Sequence, residues 1–176
     1  MQSYIADPLS TQEIRQMAIN LRRNFGLNSE EDKMFPIVEF IELVVPSILE
    51  EFTLEILPQE EMGNVHGLAC PEENCIKVRE DVYERAIDGY GRDRFTLAHE
   101  LGHFLLHHRE HIRLARLENG SKIEAFRDPE WQANTFAAEL LMPLGLIDTE
   151  EQRAIADEFG VSLQAASIRA KKIYKH

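Results

Sequence analysis

The chain has 176 residues and a formal net charge of −12, which fits one domain or one domain with a small appendage. This acidic balance disfavours a protein that wraps nucleic acid over a broad surface. No apolar run approaches membrane-spanning length, and residues 1–7 lack the basic-then-apolar pattern of a signal peptide. Cys70 and Cys75 are not spaced as C-x-x-C, so we expect two reduced thiols. These features predict a cytoplasmic protein.

Two helices are predicted in the first third of the chain. The sequence Ser10-Thr-Gln-Glu13 is a capping box, and it opens a helix that Gly26 should end. Pro36 suits the first turn of a second helix, which Pro46 should break or kink. We assign residues 1–34 to an N-terminal helical segment.

Three short segments then show the period-two alternation of half-buried strands. They are Phe52–Leu57, Val65–Ala69 and Cys75–Arg79, and Pro71–Asn74 between the last two has the composition of a hairpin turn. We expect a small antiparallel sheet whose exposed edge could bind an extended peptide as an added strand. A short helix around Val82–Ile87 should follow.

The most informative stretch is Arg94–His108, which contains the H-E-x-x-H sequence His99-Glu-Leu-Gly-His103. On a helix, two histidines four residues apart lie on one face and can bind one metal ion, most plausibly Zn²⁺, at about 2.0–2.1 Å. Glu100 lies roughly 100° around the helix, beside the metal, where it can take a proton from the attacking water.

An apolar stripe supports the helical assignment of this motif. Its members follow the i, i+4, i+7, i+8 spacing of a helix that packs on a core: Leu97, Leu101, Phe104 and Leu105. Asp93 is the predicted N-cap. His107 and His108 are interpreted as helix-end residues that favour the negative end of the helix dipole, and as an alternative one of them lines the pocket.

Two histidines do not complete a catalytic zinc site, which needs a third protein ligand and an open position. The extended motif H-E-x-x-H-x-x-G-x-x-H is excluded, because Leu106 and Arg109 stand where it requires glycine and histidine. The third ligand must therefore come from another part of the chain.

The segment Asp128–Pro143 predicts a second buried helix, with an aspartate N-cap and prolines at its first position and just beyond its end. Glu130 and Asn134 lie one turn apart on it. Glu130 could reach the ion, while the Asn134 carbonyl could accept the free ring N–H of a ligating histidine. Glu139 is the alternative ligand, because an acid inside an apolar helix is costly unless it is paired or bound. We favour Glu130, since Asn134 supplies the outer hydrogen bond that such sites need.

Two segments together, Phe95–His107 and Ala133–Pro143, resemble the ImmA/IrrE metallopeptidases of the M78 group. The resemblance extends over roughly residues 35–176, and the pair of motifs is far more specific than H-E-x-x-H alone. Members of this group are intracellular endopeptidases that cleave helix-turn-helix repressors of mobile elements or stress regulons, and they are often encoded beside their substrate. The resemblance therefore implies a protein substrate of this kind and a cytoplasmic location.

The resemblance also implies the roles of individual residues. It makes His99, His103 and Glu130 the ligands of a gluzincin-like Zn²⁺ site and Glu100 the catalytic acid and base. Gln132 stands where many relatives have a second glutamate, which removes one competing ligand.

The C-terminal residues predict a pair of helices. Thr149-Glu-Glu-Gln152 reads as a second capping box, and Ala156–Ser162 resembles the first helix and turn of a helix-turn-helix, before a helix from Leu163 to about Tyr174. From residue 161 onward the chain has cations and no acid: Arg169, Lys171, Lys172 and Lys175. DNA contact is possible, but Arg169 occupies a usually apolar position of that motif, so we favour a pair that closes the core.

We therefore predict an α+β fold, mainly helical and zincin-like, with a small antiparallel three-stranded sheet and a C-terminal helix-turn-helix-like pair. The predicted domains are residues 1–34, a metallopeptidase domain at residues 35–148, and the helix pair at residues 149–176.

The predicted function is that of a zinc endopeptidase. Candidate donors to the oxyanion of the transition state are Tyr90, Arg92, Arg94 and His111. The alternative is a non-hydrolytic zinc-containing regulator, or a toxin–antitoxin-type partner, that acts by binding protein or DNA.

Overall fold

The fold was obtained as a computed structural model, which describes residues 2–108, 112–116 and 123–173. The described helices are α1 (Thr11–Asn24), α2 (Ile37–Glu39), α3 (Val45–Ile48), α4 (Gln59–Met62), α5 (Glu80–Ile87), α6 (Gly91–Leu106), α7 (Pro129–Leu141), α8 (Gln152–Phe159) and α9 (Leu163–Ile173). The described strands are β1 (Gln2–Ala6), β2 (Thr53–Leu57), β3 (Gly67–Cys70), β4 (Cys75–Arg79) and β5 (Ile112–Arg116). The predicted α+β class is confirmed. Among the described helices, none combines the length and the apolar character that crossing a membrane requires.

Helix α1 begins at the predicted capping box. The Ser10 hydroxyl accepts from the Glu13 N–H at 3.2 Å, and the Glu13 carboxylate accepts from the Ser10 N–H at 2.8 Å. The buried face of α1 packs on α7, where Arg22 donates to the Leu140 carbonyl at 2.8 Å. The N-terminal segment is thereby joined to the helix that carries the candidate third ligand.

The helical segment that starts near Pro36 continues through Pro46 to Ile48. Between α2 and α3 the backbone widens into a π-helical turn, Phe40–Val44, which ends two residues before Pro46. Because proline lacks an N–H and crowds the preceding turn, a local widening is one way to continue a helix past it. The expected interruption therefore takes the form of a π turn.

The central sheet is mixed, so the expected antiparallel arrangement is wrong for one strand. Its order is β2-β4-β3, in which β3 pairs with β4 antiparallel and β2 pairs with β4 parallel. Strand β4 is almost entirely buried, as suits a central strand covered on both faces. The predicted hairpin of β3 and β4 is present, whereas β2 lies on the far side of β4. A second sheet, β1 antiparallel to β5, was not predicted.

Helix α6 carries the H-E-x-x-H motif and passes through the core. Leu97, Leu101 and Phe104 are buried, as the apolar stripe predicted. The predicted N-cap is wrong: α6 begins at Gly91, and Asp93 in its first turn instead accepts from Arg85 at 2.8 and 3.2 Å. Helix α7 does begin as predicted, because the Asp128 carboxylate accepts from the Glu130 N–H at 3.0 Å.

The C-terminal pair α8 and α9 packs against the core. The predicted capping box does not form, since Thr149 accepts from the Glu151 N–H at 3.1 Å and Glu151 itself is the N-cap of α8. Ile155 and Phe159 of α8 are buried, and Arg169 of α9 points inward. Lys175 and the predicted helix end at Tyr174 lie outside the described residues.

An ion cluster joins α1, α7 and α9 behind the core. Glu139 is 1% exposed and receives both guanidinium groups: Arg169 at 2.7 and 3.0 Å, and Arg15 at 3.1 and 3.2 Å. Burial acts to raise the pKa of Glu139, but the hydrogen bonds from Arg169 and Arg15 outweigh it and hold that pKa below its usual range. Glu139 is therefore paired with two arginines. This pairing offsets the free-energy cost of burying an acid in an apolar helix.

We predict that Glu139→Gln lowers the free energy of unfolding by about 3–5 kcal/mol, because it leaves the buried Arg169 without its counter-charge. The lowered pKa makes this stabilisation complete above the unfolded pKa of about 4.3, and it is lost as the pH falls through the folded value. Urea unfolding should thus show a large difference between variant and wild type at pH 7 that narrows below about pH 4. Glu158→Gln, at the exposed Lys33 pair, is the control and should change stability far less. Equal effects of the two variants would contradict the prediction.

Candidate metal centre

Helices α6 and α7 approach closely because small residues face each other between them. A side-chain Cβ at Gly102 would lie 3.1 Å from the Phe136 ring and 3.2 Å from the Ala133 backbone. Glycine at position 102 and alanine at position 133 therefore let the two backbones approach. This contact sets the distance between the histidines of α6 and the polar residues of α7.

The three predicted ligands meet at this contact. The Nε2 atoms of His99 and His103 are 3.0 Å apart, and the Glu130 carboxylate oxygens lie 3.4 and 3.3 Å from them. Tetrahedral zinc with ligands at about 2.0–2.1 Å holds those ligands roughly 3.3 Å apart. The donor set and its spacing therefore fit a metal ion.

Asn134 lies beside His99. Its Oδ1 is 3.2 Å from Nδ1 of His99, on the side of the ring away from Glu130. A carbonyl oxygen at this point accepts the Nδ1 hydrogen and holds the ring, which leaves Nε2 for the metal.

His103 has a corresponding partner that the sequence analysis did not assign. Nδ1 of His107 is 2.8 Å from Nδ1 of His103, and Nε2 of His107 is 2.9 Å from Oε1 of Gln132. His107 is buried and lines the cavity, as in the alternative in which one of the two histidines lines the pocket; its interpretation as a helix-end residue does not account for these contacts. The available signal was its spacing, because His107 follows His103 by the same four residues that separate the two ligands. His108 is half-buried beside Phe104 and is not part of this cavity.

Glu100 is buried beside the three candidate ligands His99, His103 and Glu130, which we call the metal group. Strand β3 holds the Glu100 side chain. Its Oε2 accepts from the backbone N–H of Ala69 at 2.9 Å, and a Cβ at Gly67 would lie only 2.6 Å from its Cγ. Burial raises the pKa of Glu100 to about 7; the Ala69 hydrogen bond opposes this shift and the charge of Glu130 adds to it. A carboxyl group with this pKa can both accept and deliver a proton near neutral pH.

The metal group and Glu100 share a cavity of about 410 Å³ with the edge strand β3, lined by Gly67, Leu68, Ala69, Pro71, His99, Glu100, His103, His107 and Glu130. Burial lowers the pKa of both His99 and His103, the latter to about 3 with the help of His99 and His107. Both imidazoles are therefore neutral at physiological pH, which is the form that binds metal.

The three candidate oxyanion donors that the structure describes do not line this cavity. Arg94 is buried and donates to the carbonyls of Gly160 and Phe35 at 2.9 and 2.6 Å. Arg92 lines a neighbouring, mainly apolar cleft, and Tyr90 is an exposed N-cap. His111 lies outside the described residues. Within those residues, none of the three described candidates lines the cavity.

A second group of potential ligands lies at the hairpin of β3 and β4, where Cys70, Glu73 and Cys75 come together. Both cysteines are free thiols, as predicted. Burial and the neighbouring Cys70 raise the pKa of Cys75 to about 11, so this thiol is protonated at neutral pH. Glu73 is exposed and pairs with Lys77. The group therefore lacks the thiolate character of the usual metal sites.

Comparison with known proteins identifies the family. A model described as the IrrE N-terminal-like domain of peptidase family M78 matches residues 72–171, more than half of the chain. The protein belongs to this family, and the resemblance drawn from its two motifs is confirmed. Neither the curated proteins nor the solved structures contain a match to the chain. The matched region includes α6 and α7, which carry the candidate ligands, but it begins after β3.

We predict that His103→Ala abolishes stoichiometric zinc binding, since it removes one of the three candidate ligands. Elemental analysis after dialysis against zinc should give one ion per wild-type chain and little for the variant. The matched control is His66→Ala, whose side chain does not line the cavity and which should retain one ion. Equal zinc content in the two variants would remove His103 from the ligand set.

Proposed function

We propose that this protein is a zinc-dependent endopeptidase. The observation that carries the proposal is the shared cavity, in which His99, His103 and Glu130 converge beside a buried glutamate. Membership of peptidase family M78 makes a protein substrate the expected one.

The ligand set supports a catalytic rather than a structural zinc ion. Two imidazoles and one carboxylate leave one tetrahedral position open, as in catalytic sites, whereas structural sites use four protein ligands. Among the described residues, no further His, Cys, Asp or Glu joins the three. A zinc ion held there would supply an electrophile that polarises a peptide carbonyl and acidifies water.

Glu100 is proposed to move the proton. Its Oε2 is engaged with the Ala69 N–H, so Oε1 remains to take a proton from the attacking water and to pass it to the leaving amine. Burial favours the protonated form of this carboxyl group, which suits a residue that takes up a proton and then releases it.

The edge strand β3 supports binding of the substrate in an extended form. It is the outer strand of its sheet, and it lines the same cavity as the metal group. An exposed edge can bind a peptide through main-chain hydrogen bonds, which suits an endopeptidase that acts within a chain. We propose an extended or locally unfolded segment of the substrate at this edge.

The particular substrate and location are proposed from the resemblance to the ImmA/IrrE group. They are a helix-turn-helix repressor and the cytoplasm. A closed site with four protein ligands would favour a non-hydrolytic regulator, and the three-ligand group does not have that form. DNA binding by the C-terminal pair is also disfavoured, because Arg169, one of the four cations that follow residue 160, is buried against Glu139.

The decisive experiment is incubation of the zinc-loaded protein with the helix-turn-helix repressor encoded beside its gene, followed by intact-mass analysis. Wild type should cut the repressor at a defined bond. Glu100→Gln should keep one zinc ion and lose about 10²–10⁴-fold in rate, since it cannot accept the proton. A repressor that binds but stays intact would contradict the peptidase proposal and favour the regulator.

We further predict that Gly67→Ala lowers the cleavage rate at least about tenfold while zinc content is unchanged. The new methyl group would displace the Glu100 side chain from Ala69, because the three atoms nearest to the added Cβ all belong to Glu100. The control is Gly145→Ala, because no atom lies within 4 Å of the added Cβ at that position. Wild-type activity in Gly67→Ala would argue against a role for the present Glu100 position.

A further inference from the structure

We propose that Gln132 and His107 are positioning residues that determine which ring nitrogen of His103 carries hydrogen. This inference rests on the proposed metal centre. A line of hydrogen bonds runs from the backbone at Asp7 through Gln132 and His107 to His103.

The line starts at the Gln132 amide, whose orientation is settled by two carbonyls. Its Nε2 lies 2.8 Å from the Asp7 carbonyl oxygen and 2.8 Å from the Phe126 carbonyl oxygen. Carbonyl oxygens only accept hydrogen bonds, so the atom facing them must be the NH₂ group. Gln132 is fully buried, and a flipped amide would place three oxygens together. Its Oε1 therefore faces His107.

That oxygen in turn assigns the hydrogen on His107. Oε1 of Gln132 is 2.9 Å from Nε2 of His107 and can only accept, so Nε2 carries the hydrogen. A neutral, buried imidazole has a single N–H, which leaves a lone pair on Nδ1. Nδ1 of His107 is 2.8 Å from Nδ1 of His103, so His103 must be the donor.

The ring of His103 therefore carries its hydrogen on Nδ1 and presents a lone pair at Nε2. Asn134 produces the same state in His99 through Oδ1. The two Nε2 lone pairs then face each other at 3.0 Å, with the Glu130 carboxylate beside them. Such an arrangement is repulsive without a cation, so the outer hydrogen bonds prepare both rings for metal.

We call the hydrogen bonds from Gln132 through His107 to His103 the relay. The relay is anchored in the N-terminal part of the chain. Asp7 follows β1 directly, and the Phe126 carbonyl that holds Gln132 also accepts from the Leu9 N–H at 2.9 Å. Both Asp7 and Leu9 lie outside residues 72–171, the region that matches the family. The orientation of a metal ligand thus depends on backbone supplied by the first ten residues.

The relay also gives position 132 a requirement for an amide. A glutamate there could still accept from His107, but its second oxygen would face two carbonyl oxygens without a hydrogen to donate. In this chain, glutamine is therefore the residue that satisfies both ends of the relay.

The direct test is nitrogen-15 NMR of zinc-loaded protein labelled at its histidines. Each signal is assigned from a variant in which one histidine is replaced. We expect hydrogen on Nδ1 of His103 and on Nε2 of His107, with an unprotonated Nδ1 in His107. Hydrogen on Nδ1 of His107 would overturn the proposal. Gln132→Met, which keeps the length and loses both polar atoms, should remove the Nε2–H preference of His107.

The second measurement is zinc affinity by chelator competition. Gln132→Met should weaken zinc binding about 10–100-fold, the range found for outer-shell partners of metal ligands. Gln132→Glu should also weaken it, and Gln16→Met, at an exposed glutamine, is the control. Loss of stability with unchanged zinc affinity and unchanged His107 hydrogens would show a merely structural role and contradict the relay.

Two features keep the test decisive. If Gln132→Met does not fold, His107→Phe removes the acceptor for His103 while keeping a ring in place, and it should weaken zinc binding in the same way. Neither measurement needs a substrate. An intact relay in a protein that cleaves nothing would refute the proposed function alone, and cleavage with unchanged zinc affinity in Gln132→Met would refute the relay alone.

Discussion

The close packing of α6 on α7 is the constraint on which the candidate site depends. The contact at Gly102 and Ala133 leaves no room for a larger side chain between the helices. Because each helix is rigid, fixing their separation at one point also fixes the distance from the histidine pair to Glu130 one turn away. A metal site assembled from two helices tolerates errors of only a fraction of an ångström, and close-packed small residues provide that precision.

Helix α7 carries an acidic residue with a different role near each of its two ends. Its first turns carry the residues that face the metal group, whereas Glu139 near its end is buried against Arg15 and Arg169. Glu130 in the first turn is largely exposed, whereas Glu139 is buried, where an isolated charge would be costly and where its two arginine partners offset that cost. The ion cluster holds α1 and α9 against the back of α7. Helix α7 is therefore held on two sides, by the ion cluster with α1 and α9 and by its packing against α6.

The site draws on more of the chain than the region that defines the family. Strand β3 holds Glu100 through the Ala69 N–H, and the backbone at Asp7 anchors Gln132, yet both precede residue 72. The helices bring the ligands together, and the strands and the N-terminal backbone orient the groups around them. In the proposed peptidase, the same edge strand that holds the general base also borders the place where a substrate would lie.

The sequence alone determined the features that depend on spacing within one element. These are the capping box of α1, the i, i+4 histidine pair, the relation of Glu130 to Asn134, and the N-cap of α7. Local geometry repeats every few residues, so such patterns can be read directly. The tertiary structure alone decided the parallel direction of β2, the pairing of β1 with β5, the inward turn of Arg169 and the contact of His107 with Gln132. Each of these joins residues distant along the chain, and no local period encodes which distant surfaces will meet.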